Sequence, residues 1–329
     1  MRALLWITTA AAVLYGGYWV AGSMAMRRGA EAALADLQAQ GLAGPAAITL
    51  RGFPSRFDLT VEPVALQSAD GTVQWTAPFV QLFMLAYRPG HVIAVWPHDQ
   101  RLTLAGLPLA ITSADMRASA VLGTSAALPL DRAVFVARDL ALDAGAGRSI
   151  ALTEARLASA ATDAARRVHH IGAELLGLTL SPALRAVADP EATQPDRLDW
   201  LRLDGRLTLD RPLDRHAGAA PPVPQALDLQ EVSLRWGEAS LRAGGLLERG
   251  ADGRLQGRIE IDARQWRKVL ALAVAAGLVP PELAPTYAAA LEKIAEASGS
   301  AEGDLRVPLV LSGGWITLGA LPIGRAPRI

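Results

Sequence analysis

The sequence has no cysteine. That absence removes disulfides, thiolate nucleophiles, cysteine-ligated zinc, iron–sulfur clusters and the acylated cysteine of a bacterial lipoprotein. It does not set the compartment, since a cysteine-free chain suits either side of a membrane. Net charge is missing too: 32 basic and 32 acidic side chains cancel. This argues against nucleic acid as a partner, which needs a clustered positive surplus. Lysine is nearly absent, with Lys268 and Lys293 set against an arginine majority, a compositional bias in an alanine-rich chain. Aromatics make up only 5%. The six tryptophans beyond residue 26 (Trp75, Trp96, Trp200, Trp236, Trp266 and Trp315) therefore read as core fillers. The alternative is that some of them line an apolar ligand groove.

Recognisable active-site chemistry is equally sparse. There is no Gly-x-Ser-x-Gly elbow, no Gly-rich phosphate loop ending in Lys-Ser/Thr, and no dinucleotide fingerprint after a strand. His91, His98, His169, His170 and His216 lack zinc-protease spacing. Ser113, Ser125 and Ser149 have no base supplied by sequence, and Asp196, Asp199 and Glu238 are scattered carboxylates of a polar sheet face. No catalytic, cofactor-binding or metal-ligating residue is assigned, and the chain reads as a non-enzyme, the alternative being an anchored hydrolase with a site assembled from dispersed polar residues.

What is present begins at the N-terminus. Residues 3–26 carry no charge, and some 20 apolar residues rising ~1.5 Å each match the ~30 Å hydrocarbon core of a bilayer. Trp6 and Trp19 lie toward the two ends, where amphipathic rings favour the interface. Residues 1–26 are accordingly expected to form a transmembrane signal-anchor, and 27–41 a helical stalk ended by Gly41. The competing reading is a signal peptide cleaved near Ser23-Met24-Ala25. Arg2 faces Arg27 and Arg28 across the apolar run, so flanking charge leaves orientation undecided.

Beyond Gly44 the apolar period is two. Leu255, Ile259 and Ile261 alternate with Arg254, Arg258 and Glu260; Leu305, Val307, Leu309 and Leu311 alternate with Asp304 and Arg306. Such strands bury one face and wet the other, as in an antiparallel sheet. Asp70-Gly71 and Asp252-Gly253 read as hairpin turns. The expectation is a mainly β fold with some α: large, curved antiparallel sheets, an N-terminal transmembrane helix and a C-terminal helical hairpin inserted at 264–298. The β-rich regions 42–210 and 225–329 flank a Pro-rich loop or linker at 211–224. Residues Asp163 to His170 break the period as a short helix or loop.

Residues Gly52-Phe53-Pro54-Ser55-Arg56-Phe57-Asp58-Leu59, then Trp75-Thr76-Ala77-Pro78 and Tyr87-Arg88-Pro89-Gly90, resemble the proteobacterial family called domain of unknown function 2125. Ser55 departs from the bulky residue the pattern favours. The resemblance implies a single anchor and an envelope location, and no reaction. The segment Asp252 to Gly257, the helical insertion and Leu309 to Leu318 are also similar, more weakly, to AsmA-type envelope proteins, whose long β-sheets have apolar interiors linked to lipid transport.

The candidate site is the family block itself: Gly52, Phe53, Pro54, Arg56, Phe57, Asp58, Trp75, Pro78, Tyr87, Arg88 and Pro89. Gly52 and Pro54 are expected to shape a turn that Phe53 and Phe57 pack against the sheet, with Arg56 and Asp58 mutually paired. The expected partners are the inner membrane, through residues 3–26, and a lipid or another envelope protein; no cofactor is expected. The body is expected in the periplasm, tethered by the uncleaved helix or released there by cleavage.

Overall fold

The computed structural model describes residues 1–218, 220–297, 303–319 and 321–328. The uncharged N-terminal run and the predicted stalk form one unbroken helix, α1 (Arg2–Ala39). Among the described residues it is long and apolar enough to cross a membrane, a test that a signal sequence near the N-terminus also passes. Gly41, at φ +71°, ends it: Gly41 N–H donates to the Gln38 carbonyl and Leu42 N–H to that of Leu37. A residue without Cβ accepts this left-handed turn at no steric cost.

The chain divides into two compact units, 1–122 and 123–329. The Pro-rich segment 211–224 lies between two adjacent strands of the second unit, with Pro224 opening the second of them and residue 219 outside the described set.

The first unit holds β1 (Ala47–Arg51), β2 (Arg56–Glu62), β3 (Val64–Gln67), β4 (Val73–Ala77), β5 (Val80–Leu85), β6 (Arg88–Val95), β7 (Asp99–Leu104), β8 (Leu107–Thr112) and β9 (Asp115–Leu122). Pairing is antiparallel: β2 joins β1 and β5, and β5 joins β6, which joins β9. A second ladder runs β3–β4–β7–β8. Together these make four long strands folded as a meander. The first three are interrupted at Pro63, at Pro78 and at Pro97, where the missing N–H breaks a ladder. The fourth is interrupted at Ser113-Ala114. The expected turn at Asp70 is present: its Oδ1 accepts from the Ser68 hydroxyl, the Thr72 hydroxyl and the Thr72 N–H. Those donors, Ser68 foremost, hold the Asp70 carboxyl at about 2.

The second unit is an antiparallel meander in which each strand pairs with the next. Its strands are β10 (Leu130–Asp143), β11 (Ser149–Ala161), β12 (Val168–Leu180), β13 (Arg197–Leu209), β14 (Pro224–Trp236), β15 (Ala239–Arg249), β16 (Leu255–Arg264), β17 (Asp304–Ser312), β18 (Trp315–Leu318) and β19 (Leu321–Arg325). The break after Asp163 is a turn rather than a helix. Asp163 Oδ1 accepts the N–H groups of Arg167 and Val168, and the Val168 bond chiefly lowers its pKa. His169 and His170 then begin β12 on opposite faces, His169 buried and His170 exposed.

Helix α2 (Pro182–Ala188) joins β12 to β13, a short element the period did not reveal. The expected insertion at 264–298 is α3 (Trp266–Ala275), a one-turn 3₁₀ segment at Pro281–Leu283 and α4 (Ala284–Ala297); residue 298 lies outside the described set. Trp266 and Leu291 bury against Ala263, Leu305 and Val307 of the sheet. Leu272 and Ala275 of α3 pack with Leu198, Leu234 and Trp236. Each large apolar side chain so covered contributes about 1.5–3 kcal/mol.

Candidate functional site

The family block falls in two places. Gly52 sits at φ +109°, and a Cβ there would lie 2.7 Å from the Arg56 carbonyl oxygen, so only glycine fits. The turn it makes places Phe53 and Phe57 beside α1. The Trp19 indole donates to the Arg56 carbonyl at 2.8 Å, meets Phe53 edge-on at 5.2 Å and stacks on Phe57 at 5.8 Å. The Tyr18 hydroxyl donates to the Ala86 carbonyl at 2.6 Å, and Ala86 N–H donates to the Ser55 carbonyl. The hairpin turn bearing Tyr87 and the turn bearing Phe53 therefore lie together against the helix.

Phe57 is 2% exposed and forms a core with Met84 and Ala86, against which Trp19, Met26, Leu50, Leu82 and Val92 pack. Phe53 differs from its expected packing: it is 63% exposed, because the turn carries it past the last strand residue. Tyr87 is 70% exposed, and Arg88 and Pro89 begin β6 at the surface. Arg56 and Asp58 pair at 2.9 Å, as their same-face spacing on β2 implies.

Trp75 and Pro78 belong to the line of strand interruptions instead. The Trp75 indole donates to Gln100 Oε1 at 3.1 Å, and Gln100, itself buried, donates to the Pro97 carbonyl. The residues of this block thus serve two structural purposes: seating the helix and shaping the kinks. The second was invisible in the block's spacing, because Gln100 lies outside it.

The residues proposed from bare side-chain chemistry do not converge. His98 Nδ1 meets the Ser113 backbone carbonyl, not its hydroxyl. Asp196 pairs with Arg185, and Asp199 accepts from Gly237 N–H. Among the described residues there is no group of three or more histidines and acids that could hold a metal ion.

What sequence reading did not isolate is the cross-strand register of the second unit. Residues Phe135, Leu157, Ala173, Leu203, Val232, Ala243, Ile261 and Val307 lie opposite one another in turn on the eight strands β10 to β17. The neighbouring row on the same face is Ala137, Ala155, Leu175, Leu201, Leu234, Leu241, Ala263 and Leu305. Both rows are wholly apolar. Seven inter-strand spacings of ~4.8 Å make each about 34 Å long.

Their burial differs. Helices α3 and α4 cover the second row near Leu234, Ala263 and Leu305. In the first row Leu157 is 47% exposed, and Ala173, Leu203, Val232, Ala243 and Ile261 are only half-buried.

The opposite face is mostly polar: from Val136 on β10 the row continues through Arg156, Glu174, Arg202, Ser233, Arg242, Asp262 and Arg306. Glu174–Arg202 and Asp262–Arg306 are ion pairs at 2.8 Å. Trp200 lies on this face, with the Arg202 and Arg235 guanidiniums 4.9 and 5.4 Å from its ring. It is neither core nor apolar groove.

One charged cluster serves the helices. Asp189, fully enclosed, accepts from Lys268 of α3 at 3.0 Å, from the Thr193 hydroxyl and from Gln194 N–H. Burial pushes its carboxyl up, but the Gln194, Lys268 and Thr193 donors outweigh that and hold it at about 2. Lys268 is raised in return by Asp189 and Glu191, against its own desolvation.

Helix, socket and two-faced sheet define a sheet-rich protein with one N-terminal helix suited to a membrane. The chain belongs to the family described as an uncharacterized protein conserved in bacteria, the domain of unknown function 2125, whose model matches residues 19–327. No curated protein and no solved structure matches it.

Proposed function

We propose that this is a non-catalytic envelope protein, held in the inner membrane by α1, that carries an apolar chain of a lipid on the sheet of its second unit. The observation that carries the reading is the half-buried row from Leu157 to Ile261. Water-exposed apolar surface of this extent normally marks a ligand or partner surface. From Leu157 to Ile261 five inter-strand spacings of ~4.8 Å span about 24 Å, more than one leaflet's half of the ~30 Å hydrocarbon core, so an acyl chain can lie along it. The weaker likeness to AsmA-type proteins supports the same reading as an analogy of architecture.

The resemblance to an envelope family supports a periplasmic body. The contacts of Trp19 and Gly22 support retention of α1. Gly22 lies so near Phe57 that an added Cβ would sit 3.0 Å from its ring. Cleavage near Ala25 would remove both and uncover Phe57 and Ala86, at a cost of several kcal/mol.

A photoreactive residue placed at Leu203 or Val232 in the full chain, in membranes, tests the ligand. Lipid adducts support the reading; a single dominant protein adduct supports an envelope scaffold in its place; adducts to neither contradict both.

A further inference from the structure

We infer that the Phe53 and Tyr87 turns of the first unit are themselves membrane-contacting loops, entering the bilayer interface beside α1 and contacting anionic phospholipid. The inference rests on the reading of α1 as an anchor, and its depth follows from arithmetic. A span needs ~20 residues of helix, and the uncharged run is 3–26. Every 20-residue placement inside that run includes Tyr18, Trp19 and Gly22. The residues that touch them are therefore at the level of the membrane and not above it. Trp19 lies eight residues, about 12 Å of helix, inside Arg27.

The order of contacts agrees with a tip entering lipid. Phe53, at the turn, meets Trp19, whereas Phe57, further along β2, meets Trp19 and Gly22 and shares a core with Met26. The strand thus climbs outward along the helix and leaves Phe53 deepest. Phe53 and Tyr87, 63% and 70% exposed, are the large apolar side chains that water would meet here. Aromatic rings are favoured at the interface. Arg51, Arg56 and Arg88 are exposed at the bases of the same turns, and Asp58 is already paired to Arg56. Long cationic side chains around apolar tips suit anionic headgroups.

The natural absence of cysteine makes the test direct. Val13→Cys, Phe53→Cys, Tyr87→Cys and Ala69→Cys chains, each bearing an environment-sensitive fluorophore, are reconstituted in phosphatidylcholine–phosphatidylglycerol vesicles with and without nitroxide lipid. Ser55→Cys and Arg88→Cys read the same two turns should the aromatic replacements disturb the fold. The expected result is blue-shifted emission and quenching by nitroxide lipid at 13, 53 and 87, with position 69 quenched by iodide alone. A lipid-quenched position 13 with positions 53, 55, 87 and 88 as iodide-accessible as 69 overturns the inference and leaves the anchor standing. A position 13 untouched by nitroxide lipid overturns the anchor and the inference together.

Discussion

Phe53 and Phe57 stand four residues apart in one motif and meet different surroundings. Phe57 is enclosed by Met84, Ala86 and the Trp19 ring, so Phe57→Ala should destabilise the protein by about 3–5 kcal/mol in chemical denaturation. Phe53→Ala, at a largely exposed ring, should cost about 0.5 kcal/mol or little more in the same detergent-solubilised chain. Equal losses would contradict the geometry. The difference was not readable from sequence, because Phe53 inside the Gly-Phe-Pro turn and Phe57 at the start of the next strand share one short motif, and nothing local reports which of them α1 and the sheet enclose. Asp189 is a second case. Breaking its enclosed pair with Lys268 by Asp189→Asn should cost about 1.5–3 kcal/mol, since a charge-assisted hydrogen bond is lost while the ammonium keeps the exposed Glu191. Its carboxyl lies at about 2 against an ordinary 3.8. The stability it contributes is therefore full above pH ~4 and is lost as pH falls toward 2, because the unfolded chain takes up the proton first. Melting curves of wild type and Asp189→Asn should converge as pH drops across that window; a constant gap would refute the assignment.

At the scale of elements, the period-two pattern was sufficient for the long strands of the second unit, because one face of each meets apolar cover and the other water. It was not sufficient for the kinked strands. Pro63, Pro78 and Pro97 interrupt three of them, yet the chain continues past each in nearly the same strand order. A local residue cannot report which ladder its neighbours join. Helix α2 escaped for a related reason: seven residues are too few for a period of 3.6 to declare itself. Helix α1 was legible as an apolar run, but its seat on β2 was not. That seat predicts that Trp19→Ala, which removes a hydrogen bond and two ring contacts, should speed tryptic cleavage after Arg27 or Arg28 severalfold. An unchanged rate would mean that the helix is held by something other than this contact.

For the molecule as a whole, the family membership names no reaction, and the proposed function rests on surfaces. The second unit has two faces of opposite character, one a lattice of arginine–carboxylate pairs and the other two apolar rows. Alternation in the sequence implied each strand's two sides, but only the register shows that eight strands align them without a polar interruption.

The most direct test is the lipid content of the intact chain, extracted with its surrounding membrane in polymer discs, captured, washed and analysed by mass spectrometry after transfer to lipid-free detergent. The account predicts about one retained lipid per protein. Leu203→Arg, on the apolar row, should abolish it, and Arg202→Gln, on the reverse face of the same strand, should leave it unchanged, with both variants retaining wild-type circular dichroism. Absence of retained lipid from the wild type, or equal retention in Leu203→Arg, would contradict it.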